Sequence, residues 1–334
     1  MIGFALIGAG FIGPVHAGNI AAHPGARLHA VVDLNAEAAA TLAAAHGAGV
    51  ATLDAVLADP AVGAVVICTP AHTHADIITR AARAGKAIFC EKPIDLDLAK
   101  VAACQAVLAE TRVPFCVGFN RRFDPSHAAL QAAVSAGEIG AVEMLIITSR
   151  DPEISPPDYV RQMPYGIFYD TMIHDFDIAR WIMRDEVAQV FARAAVLMDA
   201  ASNPHRDPDT AMVVLTMRGG ALVHVNSSFR AVYGYDQRIE AFGASGMLIS
   251  RNHARTMLER YDATRVSHDV PPYFFIDRYR EAYAAELDAF IGAVESRSAP
   301  AVSAEDGRQA LVIAYAAVES AKSGRPVDIT AQAR

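Results

Sequence analysis

The chain has 334 residues, of which 53% are hydrophobic, 20% charged and 7% aromatic, a composition close to the average for folded globular proteins. This composition excludes collagen-like, low-complexity and disordered chains, and the length suits about two domains of roughly 150 residues each. The formal net charge is −8, from 29 Lys and Arg against 37 Asp and Glu. Because phosphate contacts need a surplus of basic side chains, we expect a small-molecule ligand and no nucleic-acid partner.

Signals for membranes, secretion and metal binding are missing from the sequence. It contains no run of about 18 uncharged apolar residues, and its opening segment lacks the basic region of a signal peptide. The four cysteines, at positions 68, 90, 104 and 116, are singly spaced and form no zinc-binding pattern. We therefore expect a cytoplasmic protein with reduced thiols, no membrane partner and no bound metal.

Short apolar runs alternate with helix-length, Ala-rich segments over the first 120 residues. Continuous apolar runs separated by helices are typical of parallel strands covered on both faces, so residues 1–120 are predicted to form a doubly wound Rossmann domain. The predicted strands of this domain are Ile2–Ile7, Leu28–Val32, Val62–Cys68, Ala87–Cys90 and Pro114–Gly118.

The pattern changes after residue 120. Two helical stretches, near Pro125–Ala136 and Asp170–Met183, lie on either side of a predicted strand at Val142–Ser149. Alternating strand-like segments with short Gly-containing connections then run from Ala188 to Ser250, and helical patterns return near Tyr279. Residues 121–334 are therefore predicted to form a C-terminal α/β domain with a large, open, mostly antiparallel sheet.

A glycine-rich turn follows the first predicted strand and opens a helix. In Gly8-Ala9-Gly10-Phe11-Ile12-Gly13, the first glycine permits a tight turn, the second a close approach of pyrophosphate, and the third close packing of helix on strand. The helix N-terminus would supply N–H donors. The alternative is a generic Gly-rich turn, because this motif alone is a weak signal.

Asp33 strengthens the prediction of a dinucleotide site. It lies 20 residues beyond Gly13, at the end of the second strand, where a carboxylate can bind the hydroxyls of an adenosine ribose. The same charge would repel a 2′-phosphate, and the following Leu34 and Asn35 cannot receive one, so NAD is favoured over NADP. The alternative for Asp33 alone is an N-cap of the next helix.

Two further segments carry groups suited to proton transfer. Glu91-Lys92-Pro93 ends the fourth predicted strand, at the edge where open α/β sheets bind ligands. Asp170 and His174 are four residues apart in a predicted helix, so the carboxylate could orient the imidazole. The alternatives are a surface Lys in a turn and a capping Asp beside an ordinary His.

Taken together, these segments resemble the Gfo/Idh/MocA oxidoreductase family, and within it the inositol dehydrogenase type. The match runs in order along nearly the whole chain. Besides the segments already described, it rests on Cys68-Thr69-Pro70 with His72 and His74, on Gly118–Asp124, on Ser149–Pro152, on Asp170–Asp177 and on Tyr233–Arg238.

The resemblance implies a role for each matching residue. Lys92, Asp170 and His174 match the family's catalytic residues, with Lys92 stabilising a forming alkoxide and His174, oriented by Asp170, taking the proton; which of Lys92 and His174 is the base stays open. Cofactor-binding positions are Gly8, Gly10, Phe11, Ile12, Gly13, Asp33, Leu34, Thr69, Pro70, His74, Glu91 and Lys92. Positions near a polyol are Lys92, Arg122, Asp151, Asp170, His174 and Tyr235.

The resemblance implies an NAD-dependent dehydrogenase that oxidises a ring hydroxyl of myo-inositol or a close cyclitol, as a homo-oligomer, either a dimer or a tetramer. One departure leaves the substrate open: Met163–Tyr169 replaces the Gly-Gly usual in inositol-type relatives, and Tyr165 either contacts the substrate or packs. The alternatives are a dehydrogenase of a sugar, anhydrosugar or sugar derivative, and a non-catalytic NAD-binding sensor.

Overall fold

A computed structural model describes residues 1–329, which divide into two compact units. The first unit comprises Met1–Phe123 and Glu281–Gln309, and the second comprises Asp124–Arg280 with the residues from Ala310 onward. The first segment ends three residues beyond the predicted boundary at 120. Residues 330–334 of the predicted second domain lie outside the described residues.

The first unit is built on a six-stranded parallel sheet, as the apolar runs predict. The strand order is β3-β2-β1-β4-β5-β6, and every neighbouring pair is parallel. This is the doubly wound order, in which the ligand crevice lies at the carboxyl ends of the strands where the order reverses. The strands are β1 (Ile2–Ile7), β2 (Ala26–Val32), β3 (Gly49–Val50), β4 (Ala64–Ile67), β5 (Ala87–Glu91) and β6 (Phe115–Gly118).

Five α-helices connect these strands. Most begin at a residue whose side chain caps the free N–H groups, such as Asn35, which accepts from Glu37 and Ala38, and Asp97, which accepts from Ala99. The helices are α1 (Gly13–Ala22), α2 (Ala36–Ala45), α3 (Leu53–Ala58), α4 (His74–Arg83) and α5 (Leu98–Thr111).

The second unit contains a seven-stranded sheet in the order β12-β11-β7-β10-β9-β8-β15. All its pairs are antiparallel except β7 with β10, so the sheet is mixed and mostly antiparallel, which confirms the predicted fold class. Its strands are β7 (Val142–Arg150), β8 (Val187–Ala195), β9 (Thr210–Met217), β10 (Leu222–Ser228), β11 (Asp236–Gly243), β12 (Gly246–Ser250) and β15 (Val327–Asp328), with a separate hairpin of β13 (Glu259–Tyr261) and β14 (Val266–His268).

One face of this sheet forms the core of the second unit. Side chains alternate along β9, where Val213 and Leu215 are fully buried and Met212 and Val214 are exposed. The buried face packs against apolar residues of the helices, including Phe176 and Ile313. The helices of this unit are α6 (Pro125–Ser135), α7 (Pro157–Gln162), α8 (Met172–Met183) and α9 (Phe275–Arg278).

The compact units do not follow the single predicted boundary at residue 120. Helix α10 (Arg280–Ser296) belongs almost entirely to the first unit, and the division between units falls again within α11 (Ala304–Ser323). The physical reason is a buried aromatic cluster, in which Phe290 of α10 contacts Phe4 at 6.4 Å and Phe89 at 5.7 Å between ring centroids. Such contacts join residues far apart in sequence, and local patterns do not reveal them.

Candidate active site

The glycine-rich turn adopts the tight geometry that its sequence requires. Gly8 has φ +104°, and a Cβ there would lie 2.6 Å from the backbone of Cys68; a Cβ on Gly13 would lie 2.4 Å from the carbonyl oxygen of Gly8. Gly10 is exposed, and a Cβ on it would meet nothing within 4 Å. The outer side of the turn is therefore open for a ligand to approach the backbone.

The start of α1 is suited to an anion. Its N-cap residue, Ile12, offers no side-chain hydrogen bond, and no acidic residue occupies the first turn. The helix dipole and the backbone N–H groups therefore face the turn without a competing carboxylate on the helix.

Asp33 holds the turn from the end of β2. Its Oδ2 accepts a hydrogen bond from the N–H of Ala9 at 2.6 Å, and its Oδ1 accepts one from Asn35 at 2.7 Å. The helix cap is Asn35 and not Asp33, because the Asn35 side chain accepts from Glu37 and Ala38. Each carboxylate oxygen keeps a lone pair for a ribose hydroxyl.

Two apolar side chains of this region are exposed, one directly after Asp33 and one in the glycine-rich turn. Leu34 is fully exposed and Phe11 is 65% exposed. Exposed side chains of this kind can cover an adenine ring. The open turn, the uncapped helix start and the carboxylate together fit a dinucleotide, which when bound would accept the hydride from a substrate carbon at its nicotinamide.

Lys92 follows β5, next to a buried hydrogen bond between His16 and Glu91. The Nε2 of His16, which is fully buried in α1, lies 2.7 Å from Oε1 of Glu91. The other carboxylate oxygen of Glu91 accepts the backbone N–H of Lys92 at 3.3 Å, and a Cβ on Gly118 would come within 3.1 Å of it. Sequence reasoning missed His16; its signal was a histidine three residues after Gly13, on the helix face toward the sheet.

His74 joins the Thr69 loop to the Lys92 segment. Its Nδ1 lies 2.7 Å from the carbonyl oxygen of Pro93 and its Nε2 lies 2.6 Å from that of Thr69. Burial lowers the pKa of this histidine, although the two carbonyls favour its protonated form. His74 therefore links two backbone segments. One is the loop at Thr69 and the exposed Pro70, and the other is Lys92-Pro93, whose peptide bond is cis.

Arg122 is buried in the first unit and paired with a carboxylate. Its guanidinium lies 3.0 Å from Oδ1 of Asp306, and it also donates to the carbonyl of Ala301 at 3.4 Å. Burial of Asp306 opposes ionisation, but Arg122 and hydrogen bonds from Ser303 lower its pKa to about 2.

Asp170 and His174 lie in the second unit, at the start of α8. Asp170 belongs to a π-helical turn, Ile167–Thr171, and His174 lies in the first turn of α8. The predicted helical stretch at Asp170–Met183 is helical in the structure, but its first two residues lie in the π-turn, so Asp170 and His174 are not an ordinary (i, i+4) α-helical pair. Single π-turns of this kind occur often at functional sites.

Asp170 lines a small pocket of the second unit, together with Asp207 from the loop before β9. The wall of this pocket is otherwise mostly apolar, formed by Ile154, Ser155, Tyr159, Val160, Met163, Gly166, Ile167 and Phe229. Sequence reasoning missed Asp207, because its Asp-Pro-Asp surroundings signal only a turn.

Tyr165 packs against the apolar core of the second unit, and Nζ of Lys322 lies 4.4 Å from its ring centroid. Its backbone has φ +61° and donates its N–H to Asp207 at 2.9 Å. From the segment Met163–Tyr169, the side chains that line the Asp170 pocket are Met163 and Ile167.

Two other predicted polyol contacts also lie in the second unit. Asp151 follows β7 directly, and its backbone is paired with Ser228 and Ala231. Tyr235 is 3% exposed, and its ring packs edge to face on Tyr279 at 5.9 Å.

The predicted residues thus fall into two groups. The first unit carries every predicted cofactor position, with Lys92 and Arg122, and the second carries Asp170, His174, Asp151, Tyr165 and Tyr235. Among residues 1–329, no three His, Cys, Asp or Glu side chains cluster as metal ligands would. No helix within that range is both long and apolar enough to cross a membrane.

Family models match both parts of the chain. Residues 2–119 match the model described as an oxidoreductase family with an NAD-binding Rossmann fold. Residues 127–249 match the GFO/IDH/MocA C-terminal domain. Together these two matches span more than two thirds of the chain.

The chain is also similar to individual proteins over nearly its full length. It is 48% identical over 328 residues to an inositol 2-dehydrogenase from Rhizobium meliloti, covering 98% of each chain. Among crystal structures, it resembles a myo-inositol dehydrogenase from Corynebacterium glutamicum with a TM-score of 0.94, 41% identity and 99% coverage of both chains. It also resembles a myo-inositol dehydrogenase from Lactobacillus casei in complex with NAD(H) and myo-inositol, with a TM-score of 0.90, 25% identity, and 99% and 97% coverage.

Proposed function

Because the chain belongs to the Gfo/Idh/MocA oxidoreductase family and is an NAD-dependent dehydrogenase acting on CH–OH groups, we propose that it oxidises a ring hydroxyl of myo-inositol or a close cyclitol to the ketone. The observation that carries the proposal is the position of Asp170 in the π-turn directly before α8, whose first turn bears His174. The similarity to an inositol 2-dehydrogenase over 98% of the chain supports the same substrate class.

We assign the chemistry to three side chains. A secondary alcohol must lose its hydroxyl proton as its carbon gives up a hydride, so one group must take the proton and another must stabilise the alkoxide as it forms. His174, oriented by Asp170, suits the first task, and the cationic Lys92 suits the second. Arg122, Asp151 and Tyr235 are proposed to bind the remaining hydroxyls.

We propose that NAD is preferred over NADP. The Asp33 carboxylate, which accepts N–H groups from Ala9 and Asn35, places a negative charge where a 2′-phosphate would lie. Residues 34 and 35 are Leu and Asn, so the turn itself offers no cation to neutralise a phosphate. A ribose hydroxyl, in contrast, can donate to the carboxylate.

A sugar or sugar derivative is the second candidate substrate, because the segment Met163–Tyr169 places bulky side chains directly before Asp170 and His174, where inositol-type relatives usually carry Gly-Gly.

The outer face of the seven-stranded sheet supports a homo-oligomer, either a dimer or a tetramer. Met247, Phe242, Met144 and Leu222 stand opposite one another on four neighbouring strands and are 43% to 50% exposed. A sheet face that meets water is normally polar, so a continuous apolar row suits burial against a second copy of the chain.

The buried cysteines support a reducing, cytoplasmic location. All four are free thiols, and burial raises the pKa of each, most strongly at Cys68 and Cys90. Unpaired thiols are usual in compartments that keep cysteine reduced.

Cofactor reduction tests the substrate and the cofactor together. The purified protein would be given NAD or NADP with a panel of inositols, aldoses and anhydrosugars, and NADH or NADPH formation followed by near-ultraviolet absorbance. We expect turnover with NAD and an inositol. Turnover only with a sugar would replace the cyclitol by the second candidate, and NAD binding without turnover on the whole panel would favour a sensor.

A further inference from the structure

The turn that presents Asp170 begins at a residue in an unfavourable backbone conformation. Tyr165 has φ +61°, in the left-handed region that side chains with a Cβ rarely adopt. Its carbonyl oxygen accepts hydrogen bonds from the N–H groups of Phe168 at 2.9 Å and Tyr169 at 3.3 Å, which start the π-helical turn. The orientation of this carbonyl therefore fixes where Asp170 lies.

A single carboxylate holds this residue in place. Oδ1 of Asp207 accepts the N–H of Tyr165 at 2.9 Å. Burial raises the pKa of Asp207 even though hydrogen bonding to the backbone acts to lower it. The carboxylate thus satisfies the N–H of Tyr165 just before the π-turn, whose N-cap residue, Gly166, offers no side-chain hydrogen bond.

Asp207 is itself fixed by a buried asparagine. The amide nitrogen of Asn203 donates to the carbonyl oxygen of Asp207 at 2.6 Å, and its amide oxygen accepts the N–H of Asp207 at 3.2 Å. Asn203 is 1% exposed and also donates to Oδ2 of Asp209, which accepts from Leu197 and Met198. These hydrogen bonds connect residues at both ends of the loop before β9, and they hold Asp207 in one orientation.

We propose that Asp207 is a positioning residue for the reaction: by anchoring Tyr165 it sets the position of Asp170 and, through the start of α8, of His174. Because Asp170 lies in the turn that follows Tyr165, a displaced turn would move the reacting groups relative to a bound substrate. The inference rests on the proposed function for its catalytic part, while the anchoring part stands on the contacts alone.

Hydrogen exchange tests the anchor without any substrate. In the wild type, we expect the amide of Tyr165 to exchange slowly. Asp207→Ala removes the acceptor and should expose this amide to rapid exchange, whereas Asp207→Asn keeps an acceptor oxygen and should retain most of the protection. Unchanged exchange in Asp207→Ala would overturn the proposal.

Steady-state kinetics with NAD and myo-inositol test the catalytic part. Small misplacements of reacting groups are costly, so we expect kcat of Asp207→Ala to fall by about 10- to 100-fold. The KM for NAD should stay at its wild-type value, and Asp207→Asn should recover most of the loss in kcat. The matched control is Asp199→Ala in the same loop, since Asp199 is exposed and accepts from Ala201 and Ser202.

The outcomes test the anchoring of the turn and its effect on catalysis separately. A lower thermal midpoint in Asp207→Ala with unchanged kcat, or an equal loss of kcat in Asp199→Ala, would refute positioning. A wild-type protein that is silent toward myo-inositol would refute the proposed substrate, and exchange at Tyr165 would still decide whether Asp207 anchors the turn.

Discussion

At the scale of single residues, Lys92 and His174 are the side chains whose loss should affect turnover most. Replacing either by Ala removes a group that stabilises the alkoxide or takes its proton, so we expect kcat to fall by about 10²- to 10⁴-fold. The affinity for NAD should persist, because the glycine turn and Asp33 are unchanged. Titration calorimetry with NAD and the rate of NADH formation would measure the two effects separately.

Lys100 offers a matched control for Lys92. It is an exposed lysine of α5 in the same unit, paired with Asp95 at 3.7 Å. Lys100→Ala should leave both the rate and the NAD affinity unchanged. Full turnover in both Lys92→Ala and His174→Ala would show that the chemistry has been assigned to the wrong residues.

Asp33 should determine the choice of dinucleotide. The double change Asp33→Ser with Leu34→Arg removes the repelling charge and adds a cation for the 2′-phosphate, so the ratio of kcat/KM for NADP to that for NAD should rise. Asp33→Asn separates charge from hydrogen bonding, because the amide oxygen can still accept from Ala9. We expect it to weaken NAD binding by about tenfold or more, since charge-assisted hydrogen bonds contribute about 1.5–3 kcal/mol. An undiminished preference for NAD in the double variant would contradict the ribose assignment.

At the scale of secondary structure, the start of α11 should respond to acid. Ser303 and Asp306 form a reciprocal cap, in which Ser303 donates to the carboxylate at 2.7 and 2.9 Å and Asp306 donates its N–H to the Ser303 hydroxyl at 3.1 Å. Together with Arg122, this cap lowers the pKa of Asp306 to about 2 from an unperturbed 3.8. The shift corresponds to about 2 kcal/mol of stability, present above about pH 5 and lost as the pH falls toward 2.

Asp306→Asn tests this linkage. At pH 7 the variant should unfold at lower denaturant concentration than the wild type, and the difference should close as the pH approaches 2, because the wild-type carboxyl is then protonated as well. Urea unfolding followed by circular dichroism across this range would measure it. A difference that stays constant with pH would mean that the ion pair does not stabilise the fold.

The elements of the first unit could be predicted because parallel strands are buried on both faces and so appear as continuous apolar runs. The runs at Ile2–Ile7 and Ala87–Cys90 correspond closely to β1 and β5. The two-residue β3 and the six-residue α3 were not predicted, because such short elements have no periodicity to detect. The turn at Ile167–Thr171 was predicted as part of an α-helix, because its π-helical form and the hydrogen bond from Tyr165 to Asp207, 42 positions later, leave no local pattern in the sequence.

At the scale of the whole molecule, the family resemblance was confirmed, whereas the domain boundaries depended on contacts that no local pattern reveals. The motifs could be found because each is contiguous, as in Gly8–Gly13. The return of α10 to the first unit depends on Phe290 meeting Phe4 and Phe89, about two hundred or more positions away in sequence. Aromatic residues in a helix indicate burial, but they do not indicate which sheet they will cover.

The apolar row on the exposed sheet face predicts that copies of the chain associate through it. Met144 is in register with both Leu222 and Phe242, at the centre of the apolar row. Charging its centre with Met144→Lys and Phe242→Lys places two cations where a partner would bury apolar area, so we expect dissociation to smaller species with the fold of the subunit retained. Light scattering coupled to gel filtration would give the mass, and circular dichroism would check the fold.

A matched control distinguishes this face from any exposed apolar group. Met257 is 93% exposed and lies outside the seven strands of the large sheet. Met257→Lys adds a lysine at an exposed apolar position without touching the row, and we expect the mass of the assembly to stay at its wild-type value. If the double variant kept that mass too, the copies would associate through another surface, and the apolar row would require a different partner.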